Sequence, residues 1–183
     1  MEFKILFSLL YVGDYDNRKS LSKLDNDENS HIHGTLFIKV NNRDLPYLGF
    51  FGVDDVCFNE WYNVLNQLRK QISETNKGSF QYDEGEQGQP CFQFDFTPDS
   101  VFISIVDSKI SDGKRDEDWQ NVKIDRFQFT DELDKFIRDF EAFCIAENKN
   151  GFLHWRKEVL QTECLTSSPH IGIIFGRNES IEP

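Results

Sequence analysis

The chain has 183 residues, 32 acids against 20 lysines and arginines, and a formal net charge of −12. That length suits one domain with a full core. The negative balance argues against binding nucleic acid through phosphates, which calls for clustered Lys and Arg. No stretch reaches the roughly 20 apolar residues of a membrane helix.

The opening EFKILFSLLYVG alternates like a strand and has neither a basic start nor a small-residue cleavage site, so it reads as part of a cytoplasmic domain. Phe3, Ile5, Phe7 and Leu9 face one way and Leu6, Leu10 and Val12 the other, which places this strand inside a sheet. Residues 13–30 are polar and loop-like. HIHGTLFIKV (31–40) is a second strand, and NNRDLP turns the chain towards an expected third, YLGFFGV (47–53). Phe58, Trp61, Tyr62, Leu65, Leu68 and Ile72 recur at helical spacing, predicting an amphipathic helix over 55–75. Asp54 and Asp55 are its candidate caps, and Asn76-Lys77-Gly78 its stop.

Three short strands follow over Gly78–Ser108: 80–83, 91–96 and 101–107. In the second, Phe92, Phe94 and Phe96 alternate with Cys91, Gln93 and Asp95, the period of a strand with one buried face. The stretch has no Lys, Arg or His but carries Asp83, Glu84, Glu86, Asp95, Asp99 and Asp107. WQNVKIDRFQF (119–129) reads as a further strand. Thr130 then caps a second helix with the apolar stripe Leu133, Phe136, Ile137, Phe140, Phe143 and Cys144, stopped by Asn148-Lys149-Asn150-Gly151. A short third helix (152–161), a last strand (170–176) and a frayed tail (177–183) complete the chain. The order predicts an α+β fold, a mainly antiparallel sheet with two principal amphipathic helices packed on it, in a single domain over residues 1–176. A strands-then-helix plan occurs twice.

Few motifs carry chemistry. His31 and His33 share a strand face and, with Asp25, Asp27 and Glu28 before them, offer nitrogen and oxygen donors to a metal. No third ligand stands at a defined spacing, so a solvated strand end is the favoured reading and no metal or cofactor is assigned. Asp25-x-Asp27-x-Asn29 begins like a calcium loop, but Ser30 and Leu36 occupy the positions that need Gly and Glu. Cys57, Cys91, Cys144 and Cys164 are far apart with no CxxC pair, which suits reduced thiols, those of Cys91 and Cys144 buried. Asp83, Glu84 and Glu86 read as a hydrated turn rather than an acid–base pair. Neither a nucleophile elbow nor a phosphate loop is present. Trp61, Trp119 and Trp155 read as core.

FNEWYNVLNQL, FQYDEGEQGQPCFQFDF, VFISIVDS and FQFTDELDKFIRDFEAF, over about residues 58–147, together resemble small cytoplasmic immunity proteins of bacterial contact-dependent inhibition and other polymorphic toxin systems. The resemblance is one of general pattern, and no functional residue is carried over by it. It implies a non-enzymatic inhibitor that binds a cognate toxin domain, often a basic nuclease. The expected contacts are Asp83, Glu84, Glu86, Asp95 and Asp99 on an acidic face, with Tyr82 as an aromatic anchor. The alternatives are an acidic nucleic-acid mimic, a small-molecule or metal-binding domain using His31 and His33, and an enzyme of unrecognised type.

Overall fold

A computed structural model describes residues 2–13, 15–24, 30–49 and 51–161. The expected last strand, the tail, Cys164 and the Asp25–Asn29 run lie outside the described residues. The fold is α+β. Strands β1 (Phe3–Val12), β2 (Ile32–Val40), β3 (Arg43–Asp44) and β4 (Val56–Cys57) form one four-stranded sheet. Strands β5 (Gly78–Asp83), β6 (Cys91–Phe96), β7 (Ser100–Val106) and β8 (Val122–Asp125) form a second. Every pairing is antiparallel. Helix α1 (Phe58–Glu74) follows the first sheet and helix α2 (Arg126–Gln161) the second. The strands-then-helix plan thus recurs, although the second sheet is a simple meander while in the first β1, β3 and β4 all pair with β2.

Each helix packs against strands of both sheets, α1 on β2 and β5, α2 on β1, β7 and β8. Helix α1 accordingly buries a wide arc that includes Phe58, Trp61, Tyr62, Val64, Leu65, Leu68 and Ile72. A helix covered on more than one side needs such an arc rather than a narrow stripe. The second sheet's inner face is the aromatic row read from the sequence: Phe92, Phe94 and Phe96 are all buried.

Several expected elements differ, each for a local reason. Among the described residues strand β1 lies at a sheet edge rather than inside, with β2 its partner strand and a single bridge from Val12 to Lys19. Between Ser8 and Tyr11 its register slips by one residue, with Leu9 at φ 52°. This bulge flips the alternation. Val12 joins Phe3 and Ile5 in the core, and Tyr11 moves to the opposite face. Asn41 and Asn42 make the hairpin at φ 51° and 62°, the left-handed pair that a two-residue turn requires. Of the run 47–53, residues 47–49 and 51–53 are described and are not strand. Tyr47 has φ 65°, which ends the extended backbone, and Phe51 and Val53 are exposed. Trp61 Nε1 donates to the Leu48 carbonyl at 3.1 Å, holding the loop on α1.

Neither Asp54 nor Asp55 caps α1, which begins after Cys57 with no side-chain cap. At the other end Thr75 is extended and Gly78 already belongs to β5. Gly78 is needed for packing instead, since a Cβ there would meet the Phe96 ring at 2.6 Å. Helix α2 starts at Arg126, five residues before the position expected from a Thr130 cap. The Asp125 carboxylate accepts the Gln128 amide at 2.9 Å and ends β8, while the Thr130 hydroxyl donates back to the Arg126 and Phe127 carbonyls. Phe129 therefore joins the buried stripe of Leu133, Phe136, Ile137, Phe140 and Cys144, whereas Phe127 and Phe143 are exposed. The expected stop at 148–151 is a break. Asn148 has φ −159° and ψ 87°, its Nδ2 donates to the Leu24 carbonyl at 2.7 Å, and its Oδ1 accepts the Gly151 amide at 3.0 Å. The helix resumes beyond it with Phe152, Trp155 and Val159 buried, as the sequence pattern predicts.

Arg126 ties the two halves together. Its guanidinium donates to the carbonyls of Ile72, Thr75 and Asn76 at the end of α1 and to Thr97 between β6 and β7, at 2.5 to 2.9 Å. The planar fork reaches four acceptors at once, which a single ammonium cannot do. Arg126→Lys is expected to lower the unfolding free energy by about 1–2 kcal/mol, read by urea denaturation. An unchanged midpoint would show that the fork contributes nothing beyond its charge.

Candidate functional site

The register of the first sheet assembles one polar site on the face away from the core. Tyr11 of β1 stands opposite His33 of β2, and His33 stands opposite Cys57 of β4. Cross-strand partners share a face, so three strands present a phenol, an imidazole and a thiol in one row. The bulge in β1 is what puts Tyr11 there. His31 precedes β2 and, two residues from His33, adds its ring to the same side, the two centroids being 6.0 Å apart. Asn59, in the first turn of α1, holds that strand start. Its Oδ1 accepts the Ile32 amide at 3.0 Å and Trp155 Nε1 at 2.8 Å, and its Nδ2 donates to the Ser30 carbonyl.

Asp55 is the hub. It is buried, and its Oδ1 accepts the Tyr11 hydroxyl at 2.8 Å and meets His33 Nδ1 at 3.1 Å. Burial, with the carboxylate of Asp55 next, pushes the Tyr11 hydroxyl well above its ordinary range, so it stays a donor. Arg18 closes the site from the 13–24 loop, pairing with Asp54 at 2.9 Å and lying over the Tyr11 ring at 4.6 Å. Cys57 heads α1, and its Sγ is 3.7 Å from His31 Nδ1. The amides of Asn59 and Glu60 favour a thiolate here, but burial outweighs them and pushes the thiol up to about 11. A cysteine beside a histidine at a helix start is the arrangement of a thiol nucleophile. This one stays protonated at neutral pH, so the pair is not an activated nucleophile. Cys91 and Cys144 are buried thiols pushed up to about 12.

A set of carboxyl groups lies nearby. Glu84, in the β5–β6 loop, is pushed up to about 7, first by burial and then by Glu86, Glu60 and Asp55. Its Oε2 is buried and has no hydrogen-bond partner among the described residues. Among the described residues none of the ion pairs supplies a cation to Glu60, Glu84 or Glu86.

The six contacts expected from the sequence do not form one face. Tyr82 is not an exposed anchor: it is buried, with Trp61 edge-on at 5.2 Å. Asp83 is engaged internally, accepting the Ser108 hydroxyl at 2.8 Å and the amides of Lys109 and Gly85. It pins the loop after β7. Asp95 shares the outer face with Asp83 but stands opposite Ser79, about 13 Å further along, and accepts Gln93 Nε2 at 2.6 Å. Asp99 sits in the β6–β7 turn, where its carbonyl accepts the Arg126 amide. Of the six, Glu84 feels the charge of another acid in its loop, Glu86, and the charges of Glu60 and Asp55 add to it from α1 and the loop before it. Sequence reasoning missed Glu60, Asp55 and Cys57 because β4 has only two residues. The His-x-His spacing was the single signal, and its third member lies 24 positions on.

Compared with protein-family models, curated proteins and solved structures, the chain matches none.

Proposed function

We propose that this protein is a non-enzymatic inhibitor that binds a basic protein partner, acting in the cytoplasm as the immunity protein of a toxin domain. One observation carries this reading: among the described residues the buried oxygen of Glu84 has no donor, while the negative charges of Glu86, Glu60 and Asp55 act on it. A buried carboxylate among like charges costs folding free energy, and a Lys or Arg from a partner would relieve that cost on binding. The net charge of −12 adds long-range attraction to a basic surface. Among the described residues no helix is long and apolar enough to cross a membrane. The proposed contacts are Glu84, Glu86 and Glu60, with Asp83 a structural residue and Asp95 and Asp99 outside the patch.

The test begins with capture of the partner from the native cells at low salt, its release at high salt, and an assay of its toxicity with and without this protein. Association is then timed for the triple variant Glu60→Gln, Glu84→Gln, Glu86→Gln. The on-rate is expected to fall about tenfold at low ionic strength, with a shallower salt dependence. An on-rate equal to that of the unaltered protein would overturn the proposed face.

A further inference from the structure

We propose that His31, His33 and Cys57 form a binding site for a zinc-class divalent cation. One donor atom from each lies within 4.8 Å of the other two. The edge between Cys57 Sγ and His31 Nδ1 is 3.7 Å. A tetrahedral ion with ordinary zinc–sulfur and zinc–nitrogen bonds would place such a pair about 3.6 Å apart. His31 is exposed, so its ring can turn to tighten the set around an ion.

The surroundings match what a metal site needs beyond its ligands. A ligating histidine commonly gives its second ring nitrogen to a carboxylate, which fixes the tautomer and makes the ligand more basic. His33 Nδ1 lies 3.1 Å from the buried Asp55 carboxylate, and the Tyr11 hydroxyl holds Asp55 from the other side. Asn59 anchors the strand start that carries His31, and the β2–β4 register sets Cys57 against His33. His33 and Cys57 therefore stand on paired strands, Cys57 also at a helix start, and His31 directly before β2.

The donor set names the ion class. Two imidazoles and one sulfur suit zinc and its neighbours, while magnesium and calcium require oxygen. Binding would ionise the Cys57 thiol and release its proton to solvent. Three protein ligands leave the fourth tetrahedral position to water or to a group from outside. The ion would join the start of β2 to the head of α1 and fix the loop that carries Asp54 and Asp55. This site involves no partner protein and stands or falls separately from the inhibitor reading.

The experiment uses the full chain without a histidine tag, stripped by a chelator and dialysed. Cobalt(II) is titrated in and followed by absorbance, and zinc affinity is measured by competition with a chromophoric chelator. The expected result is saturation at one equivalent with a sulfur-to-cobalt charge-transfer band. Cys57→Ser is expected to abolish the band and weaken zinc binding at least 100-fold, and Asp55→Asn to weaken it about 10- to 100-fold, with near-UV circular dichroism confirming that each variant is folded. Absence of saturable binding to the unaltered protein would overturn the proposal. So would a charge-transfer band that survives in Cys57→Ser, which would assign the sulfur to another cysteine. The first measurement needs no variant and so stands even if a substitution unfolds the chain.

Discussion

Phe140→Ala is expected to lower the unfolding free energy by about 3–5 kcal/mol, the largest effect of any single truncation proposed. The Phe140 side chain is fully buried, and its ring lies 5.0 Å from Phe58, 5.3 Å from Tyr62, 5.4 Å from Phe7, 6.1 Å from Trp155 and 6.2 Å from Phe152. One ring thus touches β1, α1 and the part of α2 beyond its break. Rings at such separations, stacked or edge-on, each add a contribution beyond the area they bury. Removing it leaves a cavity whose walls come from three separate elements and cannot collapse together. Domains of this size are stable by only about 5–15 kcal/mol in total, so the variant sits near the threshold of folding. Urea unfolding followed by near- and far-UV circular dichroism measures the loss. Phe140→Leu, which keeps most of the volume, should cost about 1–2 kcal/mol. A loss below about 1 kcal/mol for the alanine variant would mean that the aromatic cluster is not packed as described.

What the sequence disclosed follows the range over which each signal acts. The Phe92–Phe94–Phe96 alternation and the Leu133-to-Phe140 stripe are local periodicities over a buried face, and both elements stand where the pattern puts them. Caps are decided by which of several competing side chains reaches the backbone first. Asp125 displaced Thr130 in that competition, and Asp55 was drawn inward by Tyr11 and His33 instead of capping α1. The run 47–53 has the apolar content of a strand, yet one left-handed residue at Tyr47 prevents it from pairing. Hydrophobic content alone does not show whether a neighbour strand is available.

The polar site illustrates the limit more sharply. Its members come from β1, the 54–55 loop, β4 and the start of β2; the β2–β4 register sets Cys57 beside His33, and Tyr11 joins them because one extra residue in β1 turns it to the outer face. A bulge carries no composition signature, since Ser8-Leu9-Leu10-Tyr11 alternates no differently from the rest of the strand. The acidic stretch was legible as charge but not as geometry. Side chains four positions apart along one strand pair are separated by more than a contact distance, so Asp83 and Asp95 were never neighbours of one partner group. Charge counts predict the sign of a surface, while register decides which charges can act together.

Glu84→Gln should make the protein more stable at pH 8 and leave it nearly unchanged at pH 4.5. Burial and the carboxyl groups of Glu86, Glu60 and Asp55 raise the folded-state carboxyl of Glu84 to about 7, from an ordinary value of 4.5. The folded chain therefore holds the proton more tightly than the unfolded chain across that interval. By linkage, stability falls as pH rises from about 4.5 to about 7 and is flat above it, because only the folded state resists losing the proton. Glutamine carries no proton to lose and keeps the shape, so the variant escapes the loss. The gain at pH 8 is on the order of 1–3 kcal/mol, read as the difference in urea unfolding between the two pH values at constant ionic strength, with a chelator present to exclude bound metal. A difference that does not depend on pH would mean that Glu84 ionises as an ordinary surface acid. The same measurement bears on function. A site that lowers stability at working pH is retained where a ligand needs it, and a bound Lys or Arg would pull the Glu84 carboxyl back towards its ordinary value. Association with a basic partner near neutral pH should accordingly release a proton, detectable as a buffer-dependent binding enthalpy in the unaltered protein and reduced in Glu84→Gln.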